Sequence, residues 1–377
     1  MSVRTLDRLW LSRDAAPTAL GLAHQLGWLD QELGRGGVTP HRIEVGGAHL
    51  LRQTYDHALP ELVREGGNVG ALAARAQGAP TRVVGLTWID EGQAIVVAPG
   101  SGITAPQHLQ GKRLALPRFR RADLAQNRRG ACTARAMSLG GYRGALGSVG
   151  LTLDDVELVE VGSGGARGPD GVRDESVLAR WEGLAPLSRG EVDGVYVKGP
   201  DVAWATAAKL GGAEVGIDLD RLPWSHLRIN DGTPRPITVH EALLRDHFEV
   251  VVTVLVQVLR ACDWASTQGA RVHRIVEDET RSSAGAVAAT YGDSFHVSMT
   301  PDLSVERIEL LRQQKRFLLA HGFLDRDVDL DAWVDARPLE AARARLLDDD
   351  RGGPDDGRRV DGPRPAFAVA RAGSSPQ

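Results

Sequence analysis

Short runs of β-branched and apolar residues alternate with helix-period stretches along most of the chain, and this alternation confines it to an α/β architecture. Strands are expected over residues 8–11, 41–45, 81–86, 94–98, 112–116, 156–161 and 194–197. Helices are expected over residues 17–26 (closed by Gly27), 61–64, 69–76, 241–264 and 305–320. Ser304 is placed to cap the last of these and Gly322 to stop it. Two breaks, Pro99-Gly100-Ser101-Gly102 and Lys198-Gly199-Pro200, suit crossings between lobes. They divide the chain into a discontinuous first lobe (1–98 and 200–347) and a second lobe (99–199). Residues 348–377, rich in Asp, Arg, Gly and Pro, are expected to form a disordered tail.

A length of 377 residues is enough for two lobes with their own cores. The balance of 45 Lys+Arg against 49 Asp+Glu leaves no basic field, which excludes general nucleic-acid binding. Cys132 and Cys262 are too few for a disulfide framework or a cysteine metal site; they form one bridge or stay as two reduced thiols. The eleven histidines contain no HExxH, and His24, His108 and His321 read as surface or helix-end residues. The chain has no GxSxG, Walker or GxGxxG loop, so neither a metal nor a cofactor is expected. Residues 1–8 lack the basic-then-apolar pattern of a leader. The longest apolar run, 250–259, is interrupted by Thr253 and Gln257 and is too short to span a bilayer. The expectation is a cytoplasmic protein with no membrane insertion.

The stretch from Thr54 to Asn68 holds most of the chemistry. Gly66 and Gly67 allow close backbone approach, and Asn68 precedes a helix whose first N–H groups lack intrahelical partners. Such a start, aided by its dipole, suits a carboxylate or sulfonate oxygen. Arg64 could clamp the same anion with its planar fork of donors, or it could lie on a solvated face beside a glycine turn. Asp14 and Thr18 follow the first strand, where ligands lie in α/β sheets, although Asp14 could equally satisfy turn N–H groups. Tyr55, His57 and Trp88 are candidate cleft walls. Asp56 and His57 are adjacent and on a strand would face opposite ways. Arg118 heads a basic band with Arg120, Arg121, Arg128, Arg129, Arg135 and Arg143, which reads as a cleft wall, a solvated helix face or a patch for an acidic partner.

Ile103-Thr104, followed by Leu109-Gln110-Gly111-Lys112-Arg113-Leu114-Ala115, resembles the solute-binding proteins of ATP-binding-cassette importers in their sulfonate, nitrate and thiamine-precursor group. So does Leu187-Ser188-Arg189-Gly190-Glu191-Val192-Asp193-Gly194-Val195, with Gly194 where the group usually has Ala. A nearer resemblance is to the 2-hydroxybiphenyl-2-sulfinate desulfinase family, reaching as far as Leu311, Phe317-Leu318-Leu319 and Val328-Asp329-Leu330-Asp331-Ala332-Trp333. Both imply a two-lobe periplasmic-binding-protein type II-like fold with a ligand cleft between the lobes. The desulfinases use a cysteine, a histidine, an arginine and a glycine amide at the sulfinate. Arg64 and Gly67 match the last two. Asp14 holds the place of the cysteine, and Thr54 that of the histidine unless a small gap brings in His57. A carboxylate does not replace a thiolate toward a sulfinate, so the family reaction is not expected.

Two functions follow. In the first, the chain binds a small organic anion (sulfonate, sulfinate or carboxylate, aromatic ones included) as a transporter substrate-binding-like protein, with a transporter or regulatory partner. The alternative is a cytosolic, cofactor-free lyase or hydrolase related to the desulfinases, with Asp14 in place of the cysteine.

Overall fold

A computed structural model describes residues 5–13, 17–43, 50, 53, 57–162, 181–206, 213–223, 225–291 and 295–352. Two five-stranded sheets organise them. The first contains β1 (Arg8–Arg13), β2 (Thr39–Arg42), β3 (Leu62–Glu65), β4 (Thr81–Thr87) and β10 (Arg235–His240), in the order β2-β1-β3-β10-β4. The second contains β5 (Gln93–Val97), β6 (Arg113–Pro117), β7 (Glu157–Val161), β8 (Gly194–Lys198) and β9 (Glu214–Asp218), in the order β7-β6-β8-β5-β9. Each sheet has one antiparallel strand in the fourth position, β10 in the first and β5 in the second. In both cases it is the strand that the chain enters straight after passing from the other sheet. The two sheets are thus variants of one pattern, interlocked by two crossings.

The crossings lie at residues 88–92 and 219–234, not at the Gly/Pro breaks near 99 and 200. The run of Gln93–Val97 is buried along its length and pairs on both sides, with β8 and β9, so it belongs to the second sheet. Gly100 and Gly102, both at positive φ, make a turn after it. Gly199 (φ 72) opens a turn into the short helix Asp201–Ala205, and β9 still pairs with the second sheet. Gly/Pro punctuation marks tight turns, and a crossing needs none when its backbone is held by the neighbouring strands. Gly199 N–H donates to the carbonyls of Glu91 and Gly92 at 3.0 and 2.8 Å, which fixes the first crossing against the end of β8.

The expected helix over 61–64 is a strand. Leu62–Glu65 is buried throughout and pairs with both β1 and β10. Four apolar-rich residues carry no usable periodicity, and a central strand buried on both faces looks like any short buried segment. The helix expected over 241–264 is divided at His247 (φ −141) into α5 (Glu241–Asp246) and α6 (Phe248–Thr267). Of the other helices, α1 (Ala19–Gln25), α2 (Trp28–Arg35) and α6 cover one face of the first sheet. Leu9, Leu11, Val63, Val84 and Ile237 meet Val251, Leu255 and Val258 there. Helix α7 (Val305–Ala320) has the expected Ser304 cap, whose side chain accepts from Arg307 N–H, and Gly322 at φ 73 beyond its end. Helix α8 (Arg337–Gly352) runs through the start of the expected tail, and residues 353–377 lie outside the described residues.

A third apolar cluster joins the lobes. Val69, Leu72 and Ala73 of α3 (Asn68–Ala76) pack with Leu116 of β6, Ala136 and Leu139 of α4 (Thr133–Gly147), and Leu311 and Phe317 of α7. A polar tie accompanies it. Asn230 Nδ2, on the second crossing, lies 2.9 Å from Gln93 Oε1, 3.0 Å from the Tyr196 hydroxyl and 3.1 Å from the Met137 carbonyl. The Asn230 carbonyl accepts from Asn68 Nδ2 at 2.6 Å. A fully buried network of this kind is costly to interrupt, since each orphaned group bears its desolvation penalty. Asn230→Ala is expected to destabilise the protein by about 2–4 kcal/mol in urea titration with an unchanged slope. A loss below about 0.5 kcal/mol would show that the tie contributes little.

Candidate functional site

Strands β1, β3 and β4 run parallel, so their carboxyl ends share one edge of the first sheet. Arg235, the first residue of β10, pairs with Thr87 at that edge. On the second sheet the ends of β6, β7 and β8 share an edge with Gln93, the first residue of β5. The crossings connect these two edges, which makes the junction the place where an α/β protein of this type exposes backbone N–H groups and side chains to a ligand.

Arg64 lies near the carboxyl end of β3. It is only 5% exposed, donates from both Nη atoms to the Gly67 carbonyl at 3.2 Å, and has no acidic ion-pair partner among the described residues. Cross-strand partners share a face, so Ser12 of β1 and Thr238 of β10, which pair with Arg64, lie beside it. His57 joins them. It is buried, at φ 50, with Nε2 3.4 Å from Thr238 Oγ1. Thr238 thus links His57 to the face of the sheet that carries Arg64.

Gly67 is the N-cap of α3, and the first N–H groups of this helix are engaged. Asn68 N–H donates to the main-chain carbonyl of Asp231 at 2.7 Å, and Val69 N–H to its Oδ1 at 2.9 Å. A Cβ on Gly67 would fall 2.1 Å from Asp231 Oδ2, so the close approach expected of this glycine is made by a carboxylate of the chain itself. Gly66 N–H donates to the Pro236 carbonyl at 3.4 Å. Asn68, expected to hold a ligand's acid group, instead spends its amide on Asn230, Pro234 and Gln314.

The start of α1 is filled in the same way. On the opposite face of β3 from Arg64, Glu65 accepts from Leu20 N–H at 2.7 Å, Ala19 N–H at 3.3 Å and the Thr87 hydroxyl at 2.8 Å. Burial pushes its carboxyl up, and these donors together with the charge of Arg235 oppose the shift. Thr18, expected to face the cleft, caps α1 by accepting from Gly21 N–H at 3.0 Å and is buried. Arg235, itself 1% exposed, pairs with Glu91 on the first crossing and donates to the Pro17 carbonyl at 3.2 Å. Lys198 Nζ, at the end of β8, reaches the same Glu91 at 3.1 Å.

The remaining expectations divide. Asp14, Thr54 and Tyr55 lie outside the described residues. Trp88 sits on the first crossing, buried against Ile229 and Leu310, with Nε1 donating to Asp90 and the Arg228 guanidinium 5.9 Å from its ring; it is a packing element of the junction. Arg118 follows β6 and lies 3.7 Å from Glu160, more than half exposed. Two arginines of the basic band reach across the seam between the lobes. Arg143 covers the Phe317 ring at 4.3 Å, and Arg129 donates to the Gly322 carbonyl at 3.3 Å. Arg135 covers Phe119, which in turn meets Phe323 at 5.3 Å. Burial lowers the Arg143 guanidinium to about 10. Cys132 and Cys262 are free, buried thiols, each pushed up by burial. The sequence reading passed over Glu65, Glu91, Lys198, Asn230, Asp231 and Arg235. The run Asn230-Asp231-Gly232-Thr233-Pro234 carries turn chemistry that could have marked the second crossing.

Surface hollows lie elsewhere. One of about 440 Å³ is on the rim of the seam, between Gln77, Asn127 and Asp325, and one of about 610 Å³ is on the second lobe between Pro106, Val149 and Val215. Among the described residues no group of three His, Cys, Asp or Glu could hold a metal, and no helix is long and apolar enough to cross a membrane.

No family model matches the chain, and no curated protein matches it. Solved structures do. A cysteine-to-serine variant of DSZB, a desulfurization enzyme, in complex with biphenyl-2-sulfinic acid is 24% identical at a TM-score of 0.67, over 90% of this chain and 100% of that one. The alkanesulfonate-binding protein SsuA from Xanthomonas axonopodis pv. citri, bound to MOPS, is 19% identical at 0.58, over 88% and 99%. The periplasmic nitrate-binding protein NrtA from Synechocystis PCC 6803 is 11% identical at 0.55, over 94% and 92%. The likeness is one of fold, and it places this chain in the periplasmic-binding-protein type II class that the sequence resemblance implies.

One group at the junction has a usable pH signature. Asp220, on the second crossing, accepts from Gln93 N–H at 3.1 Å. Its carboxyl is pushed up to about 7, first by burial and then by Asp90 and Asp218, against the Gln93 N–H and Arg228. An unfolded aspartate titrates near about 4, so between roughly pH 4 and 7 the folded chain binds the proton more tightly, and stability falls as pH rises through that window. Asp220→Asn is expected to raise the melting temperature several degrees more at pH 8 than at pH 5. Equal gains at the two pH values would contradict the assignment.

Proposed function

We propose that the chain binds a small organic anion between its lobes, a sulfonate, sulfinate or carboxylate with aromatic ones included, in the manner of a solute-binding protein. The observation that carries this reading is Arg64. A buried guanidinium without an acidic partner among the described residues is unfavourable unless a ligand supplies the charge. It lies beside the start of α3, whose dipole favours the same sign. Neighbours of the same fold carry biphenyl-2-sulfinic acid and MOPS, both acids of sulfur, which supports the ligand class. A transporter or regulatory partner belongs to this reading as a consequence of closing on a ligand.

The lyase or hydrolase reading keeps one specific support. His57 Nε2 lies 3.4 Å from the hydroxyl of Thr238, the cross-strand partner of Arg64. Turnover of aryl sulfinates and aryl carboxylates followed by mass spectrometry, lost in both Asp14→Asn and His57→Ala, would favour it over binding alone.

Titration calorimetry with benzenesulfonate, benzenesulfinate and benzoate tests the primary reading. Arg64→Ala is expected to weaken binding about 10- to 100-fold, the value of a charge-assisted hydrogen bond, with the circular dichroism spectrum retained. Saturable binding that Arg64→Ala leaves unchanged would remove Arg64 from the site.

A further inference from the structure

We infer that Ser12 is a second contact for the anion at the Arg64 site, its hydroxyl donating to one oxygen of the acid group while the Arg64 guanidinium holds another. The inference rests on the anion-binding reading above and deepens it. Ser12 is the last but one residue of β1, so it stands at the carboxyl edge of the first sheet, where ligands lie in α/β proteins. It pairs with Arg64 of β3, and Arg64 in turn pairs with Thr238 of β10, which sets three polar residues in one row across the sheet. Their neighbours Leu11, Val63 and Val239 belong to the first apolar core. Alternation along each strand therefore turns Ser12, Arg64 and Thr238 to the opposite face.

The Ser12 hydroxyl is set apart by having nothing to bond. The residue is only 5% exposed, yet its oxygen has no hydrogen-bond partner among the described residues, and it is not sealed from solvent. Other buried hydroxyls at this edge are committed. Thr18 accepts from Gly21 N–H at 3.0 Å, Thr87 donates to Glu65 at 2.8 Å, and Thr238 Oγ1 lies 3.4 Å from His57 Nε2. A buried donor left without an acceptor bears its desolvation penalty in full. Arg64, on the adjacent strand about 4.8 Å away, has the same deficit in charge, since its Nη atoms reach only the Gly67 carbonyl and no acid among the described residues pairs with it. One acid group supplies both. A carboxylate, sulfinate or sulfonate carries two or three oxygens on one centre and can accept from both donors at once, and a hydroxyl bond to a charged acceptor is the stronger kind. Because Ser12 adds a donor and no charge, it selects for the number of oxygens on the acid centre and fixes their orientation, while Arg64 selects for the charge.

The test titrates the full chain and its Ser12→Ala and Arg64→Ala variants with benzenesulfinate and benzoate by calorimetry, and records the melting temperature of the parent and of Ser12→Ala without ligand. Ser12→Ala is expected to weaken both ligands at least about fivefold. Its ligand-free melting temperature is expected to stay within about 2 °C of the parent, because the hydroxyl has no partner in the chain to lose. A structural serine would show the reverse, so a larger fall in the ligand-free melting temperature would overturn the assignment. Affinity unchanged in Ser12→Ala while Arg64→Ala weakens binding would also overturn it and leave the anion-binding reading intact. Absence of saturable binding by the parent would overturn that reading and the Ser12 contact with it.

Discussion

The arrangement of this protein depends on a set of charges held out of water where the chain crosses between its two sheets. Arg235, almost wholly buried, pairs with Glu91 on one crossing while standing at the end of the other, and Lys198 adds a second cation to the same carboxylate. Breaking such a pair leaves an uncompensated buried charge, at a cost of several kcal/mol, whereas its intact form contributes little net stability. Its effect is geometric. With Glu91 from 88–92, Arg235 from β10 and Lys198 from β8, the lobes are registered at their carboxyl edges. The apolar seam of α3, α4 and α7 then closes over one side.

Within that frame the two helix starts at the junction have become positions for carboxylates. One is filled by Glu65 from a rigid strand, the other by Asp231 from a crossing loop. Arg64 stands beside the second on a separate strand face with no acidic partner among the described residues. The helix dipole and the orphan N–H groups supply the attraction for both carboxylates.

Much of the fold was legible in the sequence. The β-branched runs 81–86, 94–98, 156–161 and 194–197 are strands within a residue or so of the expected ends, and Ser304 caps its helix as its position requires. The failures share a physical origin. Leu62–Glu65 is too short and too buried to show a period, so a central strand was read as helix. Glycine and proline near 99 and 200 mark turns after β5 and β8, while the crossings carry their own punctuation at Gly92, Gly232 and Pro234 beside acidic and amide residues. The reach of Arg129 and Arg143 across the seam is not legible locally because their partners, Gly322 and Phe317, lie far along the chain. The helix start at Gly67-Asn68 is visible from its local pattern. Asp231, 164 residues from Gly67, could not be placed on α3 by any local rule.

The most direct test is a crystal structure of the chain grown with benzenesulfinate. The account predicts the sulfinate oxygens on the Arg64 guanidinium. A structure in which benzenesulfinate sits away from Arg64 would contradict it.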